Sequence, residues 1–128
     1  MTKYHWLVVL CILSMIPWAA SCSGGKRTNV YYVYTGGNVQ RGRQLITKYR
    51  CGACHVIPGI SGANGTVGAP LTAMGRRTMI GGVIPNTPSN MERWLRDPKA
   101  VDPKTAMPDL GITKKQARDM AAFIYTLQ

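Results

Sequence analysis

Histidine is almost missing from this chain of 128 residues, which has only His5 and His55. Acidic side chains are scarce too, 5 against 16 Lys plus Arg, for a formal charge of +11. Cysteine occurs at four positions, 11, 22, 51 and 54. No apolar run reaches the roughly 18 to 20 residues that a membrane-spanning helix needs, and no stretch from residue 38 onward reads clearly as a strand. Each shortage excludes something. Internal zinc ligands would have to come from Cys51, Cys54 and His55, one short of the usual four, so structural zinc is poorly supported. Without strand–helix alternation around it, the C-x-x-C at 51–54 lacks the setting of a thioredoxin-like redox pair. The length allows one domain. The missing negative charge directs the chain toward anionic surfaces.

What is present begins with an export signal over residues 1–21. Lys3 supplies a thin positive region and Leu7 to Ile16 form a short apolar run. Pro17-Trp18 breaks that run, and Ala19-Ala20-Ser21 precede Cys22. Small residues before a cysteine resemble the lipobox of bacterial lipoproteins, which makes Cys22 the expected lipidation site and mature N-terminus. An ordinary signal peptide cut near Ala20 and an uncleaved helix remain open. All three export the chain. Residues 22–37 then read as a glycine- and tyrosine-containing linker. Its Tyr31, Tyr32 and Tyr34 either pack on the domain's own surface or dock to a partner.

The segment "KYRCGACHVIPG" at 48–59 carries the chemistry. Cys51 and Cys54 stand at i, i+3 and Cys51 and His55 at i, i+4, so one turn of helix puts all three on one face. A C-x-x-C-H of this kind is the attachment signature of haem c. Both thiols add to the vinyl groups, and the histidine meets the iron from the same side. Among disulfide, zinc and haem, covalently bound haem c is the reading that needs nothing else.

The surroundings suit it. Gly42, Leu45, Ile46 and Tyr49 mark an amphipathic helix opening near Asn38 and running into the motif. Thr87-Pro88 starts a second helix with Met91, Trp94 and Leu95 on its apolar face, and Pro98 stops it. Thr113 and Gln116 form a capping box for a last helix, whose face is Ala117, Met120, Ala121, Ile124 and Leu127. The two long irregular segments, 56–70 and 97–111, are out of proportion unless something within them is functional. A haem supplies the apolar surface that three short helices lack. For a second iron ligand the candidates are methionines. Met91 and Met120 lie on apolar helix faces. Met74 and Met79 flank "GRRT" and compete with Met107, which sits in a proline-rich loop far enough along the chain to reach the opposite haem face.

Taken together, Cys51-Gly-Ala-Cys-His55, Gly68-Ala-Pro-Leu71, "NTPSNMERWLRDP" at 86–98, "AMPDL" at 106–110 and "AAFIYTL" resemble class I monohaem cytochromes c. The likeness is greatest to the cytochrome c domain fused to subunit II of bacterial cytochrome c oxidases, and it covers residues 38–128. It implies an all-α class I cytochrome c fold, with N- and C-terminal helices crossed around covalent haem c where Gly42 meets Phe123. It implies His55 and Met107 as axial ligands, and Arg76 or Arg77 with Trp94 near the haem propionates. The usual Gly-Pro is here Gly68-Ala69-Pro70, which leaves open which carbonyl supports the histidine. No copper-binding portion is seen, so the expectation is a free-standing haem carrier.

That carrier is expected to be an exported, membrane-tethered protein rather than an enzyme, moving single electrons between respiratory complexes, ending at a terminal oxidase. The alternatives are a fixed haem c subunit of a larger respiratory or photosynthetic complex, and a small haem peroxidase with an open distal position. Methionine ligation argues against the peroxidase. Scattered Lys and Arg point to redox protein partners with an acidic docking face and to a membrane surface reached through the lipid anchor, leaving nucleic acid without a role. The location expected is periplasmic, or the outer face of a bacterial membrane.

Overall fold

Side-chain caps start the helices at the positions the sequence marks. The computed structural model describes residues 34–128. The expected signal segment 1–21, the expected lipidation site Cys22 and the expected linker through residue 33, with Tyr31 and Tyr32, lie outside the described residues. Helix α1, Val39–Lys48, opens at Asn38, whose side chain accepts the Arg41 N–H at 2.8 Å. Helix α2, Pro88–Arg96, opens at Thr87 with proline in its first turn. Proline at residue 98 ends it, but Asp97 at once caps a further single turn, α3, Pro98–Val101, by accepting the Ala100 N–H at 3.0 Å. Helix α4, Lys114–Ile124, has the reciprocal capping box of Thr113 and Gln116, with bonds of 2.9 and 3.3 Å.

Two features depart from the sequence reading. A small antiparallel hairpin pairs β1 (Met79–Ile80) with β2 (Ile84–Pro85), Ile80 opposite Ile84. Two-residue strands are too short to leave an alternating pattern. Helix α1 also stops before the haem motif instead of running into it. Arg50 takes the left-handed conformation, φ 55°, and redirects the chain into a 3-10 turn at Cys51–Ala53.

The core sits where α1 crosses α4, with α2 packed on α4 from another side. Gly42 makes the crossing possible. A Cβ there would overlap the Asp119 carbonyl and stand 3.0 Å from Phe123 Cβ. Ala117, Met120 and Ala121 are fully buried in the same seam. Asp119 is buried among them, and its carboxylate accepts the Asn38 N–H at 2.7 Å and the Arg41 guanidinium at 2.9 Å. Burial pushes that carboxyl up, but the bonds from Arg41 and Asn38 and the charges of Arg41 and Lys115 outweigh it, so its pKa lies below the ordinary aspartate value. This is the expected balance for a buried carboxylate with matched donors. A second ion pair, Arg118 to Glu92 at 3.2 Å, joins α4 to α2.

The residues just before α1 also make contacts with the rest of the fold. Tyr34 lays its ring edge-on against Tyr125 at 5.4 Å, Thr35 is buried, and Gly37 packs its backbone on the Arg118 carbonyl. Among the described residues no helix is long and apolar enough to cross a membrane.

Candidate haem site

The 3-10 turn after Arg50 sets the site's first wall. Cys54 and His55 both donate their backbone N–H to the Cys51 carbonyl, at 3.2 and 3.0 Å. This single tight turn gathers Cys51, Cys54 and His55, and all three line one cavity of about 300 Å³. That volume falls at the lower end of sites that take cofactors. Both cysteines are half-buried and unpaired. Burial pushes the Cys51 thiol up to about 11, away from the depressed values that mark a reactive thiolate. Among the described residues no cluster of three or more His, Cys, Asp or Glu side chains is placed to hold a metal ion.

The imidazole of His55 is oriented from behind. Its Nδ1 lies 2.6 Å from the Ala69 carbonyl oxygen, so Nδ1–H donates there and Nε2 keeps its lone pair for a ligand. This answers which carbonyl supports the histidine: the one immediately before Pro70. Gly68 brings the loop close enough. Its N–H donates to the Cys54 carbonyl at 2.8 Å, and a Cβ on it would stand 2.7 Å from His55 Nδ1. Any larger residue would push the loop off the ring.

The other walls come from distant parts of the chain. Met107, half-buried, lines the cavity together with Thr105, Asp102 and Trp94. Met74 and Met91 line it too, but both are core residues, 5 % and 2 % exposed. Met79 lies in β1, is 39 % exposed and is not part of the lining. Of the two arginines expected near the propionates, Arg77 reaches the cavity and Arg76 does not. The Gly81 turn covers Trp94, since a Cβ on Gly81 would stand 2.8 Å from the indole. Ile46, Leu71, Ile80, Leu95 and Ile124 make the remaining surface largely apolar.

These residues fit a flat, apolar, covalently attached group: two thiols and an imidazole on one wall, a thioether in the loop wall, and apolar side chains between. The sequence reading missed the Ala69 carbonyl, Thr105 and Asp102. A main-chain carbonyl carries no side-chain signal, although the glycine and proline flanking Ala69 bracket it.

Comparison with known proteins agrees with this geometry. The family Cytochrome c matches residues 39–128. Cytochrome c oxidase subunit 2 of Alkalihalophilus pseudofirmus is 33% identical over 89 residues, 69% of this chain. The matched region is 24% of that relative, so the chain corresponds to about a quarter of its length.

Proposed function

The chain belongs to the cytochrome c family of electron-carrying proteins with covalently bound haem c, and from that premise we propose that it is an exported, membrane-tethered carrier delivering single electrons to a terminal oxidase. The observation that supports the reading is the shared cavity, which His55 and the loop methionine Met107 both line around a largely apolar interior. Haem c, when bound, supplies the one-electron couple between ferrous and ferric iron.

The chain's residues supply the rest. Cys51 and Cys54 tether the group through thioethers. His55 offers Nε2, fixed by its bond to Ala69, and Met107 offers its sulfur, a donor that raises the potential and closes the site. Met107 is preferred to Met74 and Met91 because those two are packed into the core. Arg77 and Trp94 line the cavity, and Trp94 would be available to a haem propionate. Apolar walls exclude water and so keep the reorganisation on electron transfer small.

Charge points to the partner. All five carboxylates have partners within the chain. Asp119 and Glu92 form ion pairs. Asp97, Asp102 and Asp109 accept the backbone N–H of Ala100, Lys104 and Gly111. With 16 Lys plus Arg against 5 acidic side chains the chain is strongly cationic, which suits an acidic docking face and fast, salt-sensitive association. The kinship with an oxidase subunit supports an oxidase as acceptor. Lipidation at Cys22 would hold the carrier on the same membrane face as its partner and raise its effective concentration.

The test is oxidation of the ferrous protein by membranes containing a terminal oxidase, for the native chain and for Cys22→Ser. We expect both to be oxidised, the rates to fall as salt rises, and the soluble variant to lag at low protein concentration. Membranes that never oxidise either protein would refute the carrier role. Tyr34, 58 % exposed while its ring edge rests on Tyr125, favours a second reading as a fixed subunit of a larger complex. Co-purification of the Cys22→Ser protein with membrane complexes would select it.

A further inference from the structure

Arg77 lines the cavity, but its guanidinium is engaged on the loop behind the histidine. Its Nη2 donates to the Pro70 carbonyl at 2.8 Å and to the Thr72 carbonyl at 3.1 Å. Those carbonyls flank Leu71, whose own N–H is bonded to Val56 O at 2.9 Å. The peptide carbonyl one step before them, Ala69, is the one that accepts from His55.

Arg77 is in turn held by Asn86. The Asn86 amide donates to the Met74 carbonyl at 2.9 Å and the Arg77 carbonyl at 2.8 Å, while its oxygen accepts from Tyr125 OH at 2.8 Å. Every polar atom of this one side chain is therefore used, and used to fix the main chain on either side of the 3-10 turn at Met74–Arg76. The chain just past α4 adds a further hold, with Gly75 N–H bonded to Leu127 O at 2.8 Å. A continuous path thus runs from Tyr125 through Asn86 and Arg77 to the loop that carries Ala69.

We infer that Asn86 and Arg77 are positioning residues for the iron site, holding the 68–72 segment so that the Ala69 carbonyl stays on His55 Nδ1. A carbonyl held firmly on Nδ1–H makes the imidazole a stronger donor at Nε2 and favours ferric iron. Loosening the clamp weakens that donation and favours ferrous iron. The inference rests on the proposed reading of His55 as an iron ligand.

The experiment uses the haem-loaded protein and compares Asn86→Ala, Arg77→Lys and Tyr125→Phe with the parent, by redox titration and by proton NMR of the ferric form. Arg77→Lys keeps the charge near the cavity and removes the planar grip on two carbonyls. Glu92→Ala, which breaks the remote pair with Arg118, controls for loss of stability alone. We expect Asn86→Ala and Arg77→Lys to shift the ferric-to-ferrous ratio at fixed potential toward ferrous by about tenfold, which for one electron is about 59 mV. The His55 ring resonances should move with it. Tyr125→Phe should shift the ratio less, and Glu92→Ala should lower thermal stability without moving either readout. If Asn86→Ala does not retain haem, Arg77→Lys and Tyr125→Phe decide the matter. Variants that lose stability while potential and His55 resonances stay put would overturn the positioning role. A parent protein whose His55 ring protons show no hyperfine shift would instead overturn the ligand assignment beneath it.

Discussion

Along the crossing of α1 and α4, backbone touches backbone at Gly42 and Asp119, and side chains with no exposure at Ala117, Met120 and Ala121 fill the seam. Around the cavity, segments 56–72 and 97–111 are held in another way. Single side chains there reach main-chain carbonyls and amides: Arg77 to Pro70 and Thr72, Asp102 to Lys104, Thr105 to Met107. Val67, Leu71, Ala106 and Met107 of these loops line the cavity. The first region completes its own core. The second buries Ile57 and Ala63 but leaves a cavity between its walls, and it stands to gain most from an apolar group there, because a net hydrogen bond contributes about 1 kcal/mol while ordering each residue costs roughly as much or more.

The strongest way to break this comparison is to remove the covalent link. Cys51→Ala with Cys54→Ala should abolish haem retention and leave the loop half without a core, read as loss of the haem absorbance and of cooperative unfolding. Either single variant should keep haem through one thioether. A double variant that is haem-free yet cooperatively folded would show the loops to be self-sufficient.

Met107→Ala asks whether the loop half also closes the iron. The variant should lose the methionine–iron charge-transfer band of the ferric spectrum and bind carbon monoxide or cyanide readily. A band that survives would reassign the sixth ligand to Met74 or Met91, which line the same cavity.

Gly42→Ala strikes the other region. The added methyl meets the Asp119 carbonyl, which is backbone and cannot swing aside, so the helices must part. Overpacking of this kind costs about 1–3 kcal/mol, and the upper end is expected in urea titrations, with the haem spectrum nearly unchanged. A loss of methionine ligation in this variant would mean the two halves are coupled more tightly than their contacts suggest.

The smallest effect belongs to Asp119→Asn, which keeps the shape and removes the charge facing Arg41. About 1–2 kcal/mol is expected at neutral pH. The native carboxyl titrates below its unfolded value, so its contribution is fully present above the unfolded aspartate pKa, near 4. It is lost as pH falls through the lower, folded value. Acid unfolding curves of parent and variant should therefore converge at low pH; parallel curves would show that the charge contributes nothing.

By itself the sequence determined the cofactor and the helices. Cys51, Cys54 and His55 are chemically committed by their spacing, and Asn38, Thr87 and Thr113 start helices because each offers a side-chain oxygen to an otherwise unbonded N–H. Such information is local, readable within four or five residues. Only the tertiary structure decided which methionine lines the wall with His55 while remaining outside the core, which of two adjacent arginines turns toward the cavity, and that Ala69, not its neighbours, offers its carbonyl to Nδ1. These choices depend on groups far apart in the chain meeting in space, and a backbone carbonyl looks the same at every residue until the fold gives it a partner.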